Sequence, residues 1–432
     1  MDIRDPLHGS IELNSAESAV VDSAAFQRLR NIKQLGFGEL SFPGATHSRY
    51  LHSLGAFHLS GIAFDKIFRN FPFGNKKSAK RFRQTLRIAT LLHDVGHGPL
   101  SHSSEEVMPP LKDLHISAYD NLIGPKLKRT QANHEDYAIK LITDSPLTKI
   151  IQKNFSDISP LHIACLIDPK IKAPDDFFEE SGFSLRPILS QIVSSELDVD
   201  RMDYLNRDSY FCGTSYGKID LDWLISNLTY HQHKDQMNLA ISRRAMYTFD
   251  DFLISRHHMY LMIYFHHKSI VYDEMLHRYL KSEDCGYKIP ADIEEYLNYT
   301  DYHFYEHIAR SSNPWARRIT EKKPFVRIFE LHETEKTTTA EKFKKRLESE
   351  GVEMIHASSR ARLSKYHQTL SNENIDRRIY VIDPQGYHKP YAIEESTEIF
   401  KRYEQARIIE RIYVRPDQKG LSENLLKEFM KN

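Results

Sequence analysis

Residues 91–102 read LLHDVGHGPLSH. His93, Asp94, His97 and His102 put three imidazoles and a carboxylate directly behind an apolar helical run. Such groups are unfavourable to bury without partners, so a metal ion, a bound anion or solvent must satisfy them. Imidazole nitrogen with carboxylate oxygen suits Mn, Fe, Co or Zn better than Cu(I) or Ca. The same imidazoles titrate close to neutral pH and can carry protons. An adjacent His-Asp pair alone does not select among these uses.

Other segments offer similar donors. His52, in SRYLHS, opens a different helix and adds an imidazole. The stretch ELDVDRMDYLNRD is rich in acidic positions, and Asp200, Tyr204 and Asp208 fall at i, i+4 and i+8 on one helical face. Taken alone, that face also reads as a solvated acidic surface. Two histidines and two carboxylates would make a mixed nitrogen/oxygen site. A metal there with open positions polarises a phosphoryl oxygen and acidifies bound water.

Helices must position these groups. SRYLHSLGAFHLSGIAFDKIF carries Leu51, Leu54, Leu59, Ile62 and Ile67 close to three-four spacing. RFRQTLRIATLLHD is similar, and Gly96, Gly98 and Pro99 stop it. His93 and Asp94 therefore sit at a helix C-terminus, where the dipole welcomes a cation. Neighbours on a helix point about 100° apart, so a shared ion must lie off the helix end, where the glycines leave room. FDDFLISRHHMYLMIYFHHKSIVYDEMLHRYL reads as one long helix. Past Cys285 the texture changes. FVRIFELHE, RIYVIDP and ERIYVRPD alternate apolar with polar residues, as strands do, and TAEKFKKRLESEG reads as an amphipathic helix ended by Gly351. The expected fold is mainly α, with a helical domain over 1–285 and a smaller α+β region over 286–432.

The chain has 432 residues, with 59 basic and 59 acidic side chains, so no global field draws it to nucleic acid or membrane. No apolar run reaches the roughly 18 residues of a spanning helix. The start, MDIRDPLHGS, lacks a secretory n-region and h-region, and Cys165, Cys212 and Cys285 form no CxxC pair. These features give the expectation of a cytoplasmic protein with reduced thiols. KFKKR and SSRAR are basic clusters that would suit a phosphate or nucleic acid, but interleaved glutamates favour a solvated face.

FQRLRNIKQLGFGELSFPGATHSRYLHSLG, LLHDVGHGPLSH, NHED and DVDRMDYLNRD, in this order and spacing, resemble the HD-domain phosphohydrolases. Within them the chain is similar to the deoxynucleoside triphosphate triphosphohydrolases. The resemblance covers roughly the whole chain, and it implies an HD-domain helical core. It also implies that His52, His93, Asp94 and Asp200 hold a divalent transition metal, with Mg accompanying the substrate phosphates. The implied reaction is hydrolysis of a dNTP to deoxynucleoside and inorganic triphosphate. A phosphatase releasing orthophosphate and a non-catalytic nucleotide sensor are the alternatives.

By the same resemblance, His97, His102, His134 and Glu135 form the acid–base set, with His102 as leaving-group acid and His97 as a phosphate contact. Capping of the loop by hydrogen bonds is the alternative for His97 and His102. Arg49 and Arg201 would bind phosphate, Gln34, Leu35, Tyr204 and Asp208 would line the sugar, and Tyr264 would pack against the base. His257 stands where vertebrate relatives carry an arginine, and Tyr264 or Phe265 follows according to a one-residue shift. Relatives are often oligomers, dimers or tetramers, switched on by GTP or a dNTP. Asp22 and Arg30 match positions that read the activator's guanine, whereas Arg4 replaces an asparagine. A helix N-cap is the other reading of Asp22.

Overall fold

The chain begins with a hairpin of β1 (Asp2–Asp5) and β2 (Gly9–Glu12), antiparallel with Asp5 opposite Gly9. The Asp5 carboxylate accepts from the backbone amides of Leu7 and His8, both at 2.9 Å, and Gly9 takes a φ of +74° to complete the turn. The structure is a computed structural model that describes residues 1–123, 129–334, 337–361, 378–396, 399 and 407–431. Two short helices, Ser15–Val21 and Ala24–Gln27, follow the hairpin. Asp22 is not an N-cap. It ends the first of them, and the Ser23 hydroxyl accepts from Phe26 to cap the second.

Helix α1 (Arg49–Ile67) is central, packed against α2 (Lys76–Leu92) and α4 (Val199–Cys212). Its buried surface is much wider than the predicted apolar stripe, because Ser53, Gly55, Ala56, Ser60 and Gly61 let neighbours approach on other faces. Asn75 caps α2 by accepting from the amides of Lys77 and Ser78, and His93 forms its C-cap. Helix α3 (His134–Thr143) starts on an Asn133–Asp136 capping box. Gly96 serves this packing. A Cβ there would lie 2.1 Å from the His134 carbonyl oxygen, so the glycine admits α3 where the sequence reading had it leaving room for an ion. Helix α4 (Val199–Cys212) is capped by Asp198 and ends at Gly213, with φ +69°.

Strands β3 (Leu228–His233) and β4 (Gln236–Ser242) form a hairpin. The long helix expected next is two helices. Helix α5 (Met246–Met259) runs into a π-turn over Tyr260–Tyr264, the chain breaks at Phe265 and His266, and α6 (His267–Leu280) begins on His266 as N-cap. A π-turn inserts one residue into the helical repeat and re-aims the side chains beyond it.

Helices continue past Cys285, as far as α7 (Pro314–Thr320). The sheet expected from the later alternation then appears: β5 (Val326–Glu333), α8 (Thr339–Ser349), β6 (Met354–Ala361), β7 (Tyr380–Ile382), β8 (Arg407–Val414) and α9 (Lys419–Phe429). Strand β8 lies antiparallel between β5 and β6, and Gly351 ends α8 with φ +69°. Strand β7 leaves this sheet and pairs parallel with β4 of the helical body. Ile355, Ile379, Val381 and Tyr413 accordingly join the main core, while Phe329, Phe343, Leu347, Ile412 and Leu425 form a smaller one. Arg362, last of the SSRAR cluster, lies outside the described residues. Among the described residues no helix is long and apolar enough to cross a membrane, and all three cysteines are free thiols.

Candidate metal centre and its acid–base neighbours

Three helices converge at the C-terminal end of α2. Helix α1 brings His52, α2 and its cap bring His93 and Asp94, and the first turn of α4 brings Asp200. His52 Nε2 lies 2.9 Å from Asp200 Oδ1 and 3.6 Å from Asp94 Oδ2. His93 Nε2 lies 3.4 Å from Asp200 Oδ1 and 3.5 Å from Asp94 Oδ1. Donor atoms about 2.0–2.2 Å from one ion fall about this far from each other, so His52, His93 and Asp94 fit a small divalent cation, with Asp200 beside both rings.

The tautomers fit as well. His93 Nδ1 donates to the Thr90 carbonyl oxygen at 2.7 Å, and His52 Nδ1 donates to Asp203 Oδ2 at 2.9 Å. Both acceptors lack a proton to give, so each ring donates from Nδ1 and turns a buried Nε2 toward the two carboxylates, where a proton or a cation can sit. The local field calls for positive charge. Burial pulls the His52 imidazole down, yet Asp200 and Asp203 outweigh it and hold it at about 10. Burial likewise opposes His93, but Asp94 and Asp200 raise it to about 9.

A second cluster adjoins the first. His97 Nε2 is 3.3 Å from Asp94 Oδ1, and its ring stacks on His134 with centroids 3.8 Å apart. Burial, with Arg49 and His134 nearby, pushes His97 well below the usual imidazole range, so it is neutral. His102 is mostly exposed and bonds Glu105 through Nδ1 at 3.0 Å, and His134 Nδ1 bonds the same carboxylate oxygen. Burial of Glu105 is overcome by these two bonds, which lower its carboxyl to about 2. Glu105 thus fills the place the sequence reading gave to Glu135. Glu135 is exposed in the first turn of α3, while Glu105 joins His102 and His134. The His-x-x-Glu spacing of His102 and Glu105 was the available signal.

Arg49 is buried, donating to Asp94 and, at 2.9 Å, to the Ser101 hydroxyl. Arg201 pairs with Asp198, the α4 cap. Gln34, Leu35, Ser101, His102 and Tyr264 line a cavity of about 170 Å³. That volume is below the ~300 Å³ at which drug-sized ligands are usually enclosed. Tyr204 stands between His52 and Tyr264, with centroids 6.4 and 6.2 Å away. Asp208 is only 1% exposed. Its oxygens bond His47 Nε2 and the Tyr264 hydroxyl, both at 2.7 Å, so it locks Tyr264 from behind. The π-turn makes Tyr264, and not Phe265, the residue at the cavity. His257 is buried and His258 exposed, while Arg256 bonds Glu196 at 2.8 Å. Arg4, Asp22 and Arg30 are exposed, with Arg30 lying over the Tyr50 ring at 3.6 Å. Sequence reasoning missed Glu105, Asp203 and His47.

Residues 49–208 match the HD domain model, and residues 219–361 match the HD-associated region. An uncharacterized Mycoplasma genitalium protein is 31% identical over 332 residues, 76% of this chain and 68% of that one. The chain belongs to the HD-domain phosphohydrolase family. It is also 28% identical over 362 residues to the human deoxynucleoside triphosphate triphosphohydrolase SAMHD1, covering 78% of this HD-domain chain and 55% of the human protein. A solved hypothetical protein from Aquifex aeolicus shares the fold, with TM-score 0.73, 24% identity and 99% of each chain covered. The chain spans between 56% and 68% of the length of the first curated relatives it matches.

Proposed function

We propose that the protein hydrolyses deoxynucleoside triphosphates to deoxynucleoside and inorganic triphosphate, using a divalent metal held by His52, His93, Asp94 and Asp200. The carrying observation is the pair of buried Nε2 atoms facing Asp94 and Asp200, with His97 of the His97–His102–Glu105–His134 cluster 3.3 Å from Asp94. The similarity to human SAMHD1 supports the choice of substrate. When bound, the metal, with Mg on the substrate phosphates, supplies positive charge at the α-phosphate and acidifies attacking water.

Arg49 and Arg201 flank the site and bind phosphate oxygens. His102, exposed toward substrate and tied to Glu105, donates the proton that the departing 5′ oxygen needs. His134 shares Glu105 and stacks on neutral His97, which keeps the acid set rigid. Gln34 and Leu35 on one side, and Tyr204 on the other, enclose the sugar, and Tyr264 packs against the base. The Tyr204 ring, packed beneath the deoxyribose, leaves no room for a 2′-hydroxyl and so favours deoxy substrates. Exposed Asp22, Arg30 and Arg4 form the surface for an activating GTP or dNTP between subunits of a homo-oligomer.

The test is product analysis. Purified protein is incubated with each dNTP and Mn or Mg, with and without a second nucleotide, and products are separated by ion exchange. Deoxynucleoside with intact triphosphate is expected, and Asp200→Ala abolishes it. Orthophosphate as the released product would replace this reading with a phosphatase.

A further inference from the structure

We propose that His8 is a positioning residue for the metal centre: through Asp203 it orients His52, so the N-terminal hairpin sets how firmly the site grips its cation. This rests on the metal reading above and adds residues that contact neither metal nor substrate.

The chain of contacts is short and buried. His8 Nε2 meets Asp203 Oδ1 at 2.6 Å, and Asp203 Oδ2 accepts from His52 Nδ1 at 2.9 Å. Arg207 grips the same carboxylate with Nε on Oδ2 at 2.8 Å and Nη2 on Oδ1 at 2.9 Å. Each Asp203 oxygen therefore has two partners, which is a full complement for a carboxylate and leaves it no freedom to rotate. The third guanidinium nitrogen, Nη1, bonds Asp5 Oδ2 at 2.9 Å, and Asp5 Oδ1 holds the turn that presents His8. Asp203, Arg207 and His52 are all 0% exposed.

The sequence makes room for this contact at one position. A Cβ on Gly55, one helical turn beyond His52, would fall 1.9 Å from Asp203 Oδ1 and 2.3 Å from Arg207 Nη2. Carboxylates behind metal-ligating histidines fix ring orientation, and losing one weakens metal affinity about 10- to 100-fold. His8 is the one member of the set delivered by the hairpin turn. Without it, Oδ1 keeps a single donor, and Arg207 alone sets the angle at which the carboxylate meets His52.

Cobalt(II) is the probe, since its d–d absorption reports coordination. Full-length wild type, His8→Ala and His8→Gln are stripped, reloaded with Co(II) and mixed with excess chelator. Loss of the band is timed, and the melting temperature of each metal-free protein is recorded. His8→Ala is expected to release Co(II) about 10- to 100-fold faster than wild type. His8→Gln, whose amide N–H can reach Asp203, is expected to restore most of the retention, with both metal-free variants melting alike. Release from His8→Ala at the wild-type rate would overturn the relay. So would equally fast release from both variants with an equal fall in metal-free melting temperature, since that marks a structural role. Failure of wild type to take up Co(II), or equal uptake by Asp200→Ala, would overturn the metal centre itself.

Discussion

The guanidinium of Arg49 donates to the carboxylate of Asp94, joining the side chain read as a phosphate ligand to one read as a metal ligand. The pair explains why both can be buried: each neutralises the other's charge. Arg49→Ala should lower kcat/KM for dNTP hydrolysis about 10- to 100-fold, the value of a charged hydrogen bond. Arg49→Lys should recover only part, because an ammonium lacks the planar fork. Steady-state kinetics decide this, and full activity in Arg49→Ala would remove the residue from the site.

Glu105 is the acid shared by His102 and His134. Glu105→Gln should lower kcat about 100-fold or more, the usual value of a positioned acid–base group, and leave KM nearly unchanged. Glu135→Gln, being an exposed change, should leave kcat within about twofold of wild type. The opposite ranking would return the role to Glu135.

Asp273, on α6 beside the Gln34 cavity, bonds the Ser103 hydroxyl at 2.8 Å. Burial pushes its carboxyl up to about 6, more than the Ser103 bond lowers it. The folded protein therefore holds this proton more tightly than the unfolded chain, whose aspartate titrates near 3.9. The resulting stability is fully present below about pH 4 and is lost as pH rises through about 6. Asp273→Asn escapes that loss. Its melting temperature should gain on wild type between pH 4 and pH 7, and a gap that stays constant across the series would refute the assignment.

Gly55 faces the Asp203–Arg207 pair with no space for a methyl group. Gly55→Ala should destabilise the fold by about 3 kcal/mol, since the obstructed atoms belong to a buried ion pair. Denaturant unfolding measures this directly. A stable Gly55→Ala protein with unchanged metal retention would mean that Asp203 can sit elsewhere.

Much of this molecule is legible in its sequence. The three-four spacing around His52, the glycines and proline after LLHD, and the alternation in ERIYVRPD each report a local backbone preference, and the corresponding helices and strand are present. His93 and Asp94 fall at the end of α2 because helix termination is written in the next few residues. The break after Tyr264 was not legible, since a π-turn changes the helical repeat by one residue without any glycine or proline to mark it. The later end of the helical body has the same cause: no linker composition separates Cys285 from Thr320.

Residue types and spacing by themselves thus determined the mainly α framework and the helix end that carries His93 and Asp94. Tertiary structure alone decided which carboxylate serves which imidazole. Glu105 joins His134, Asp203 backs His52, and Asp208 locks Tyr264. Each pairing joins different segments of the chain and depends on interhelix distance and approach angle, which periodicity does not encode. Packing around Gly55 and Gly96 sets those distances.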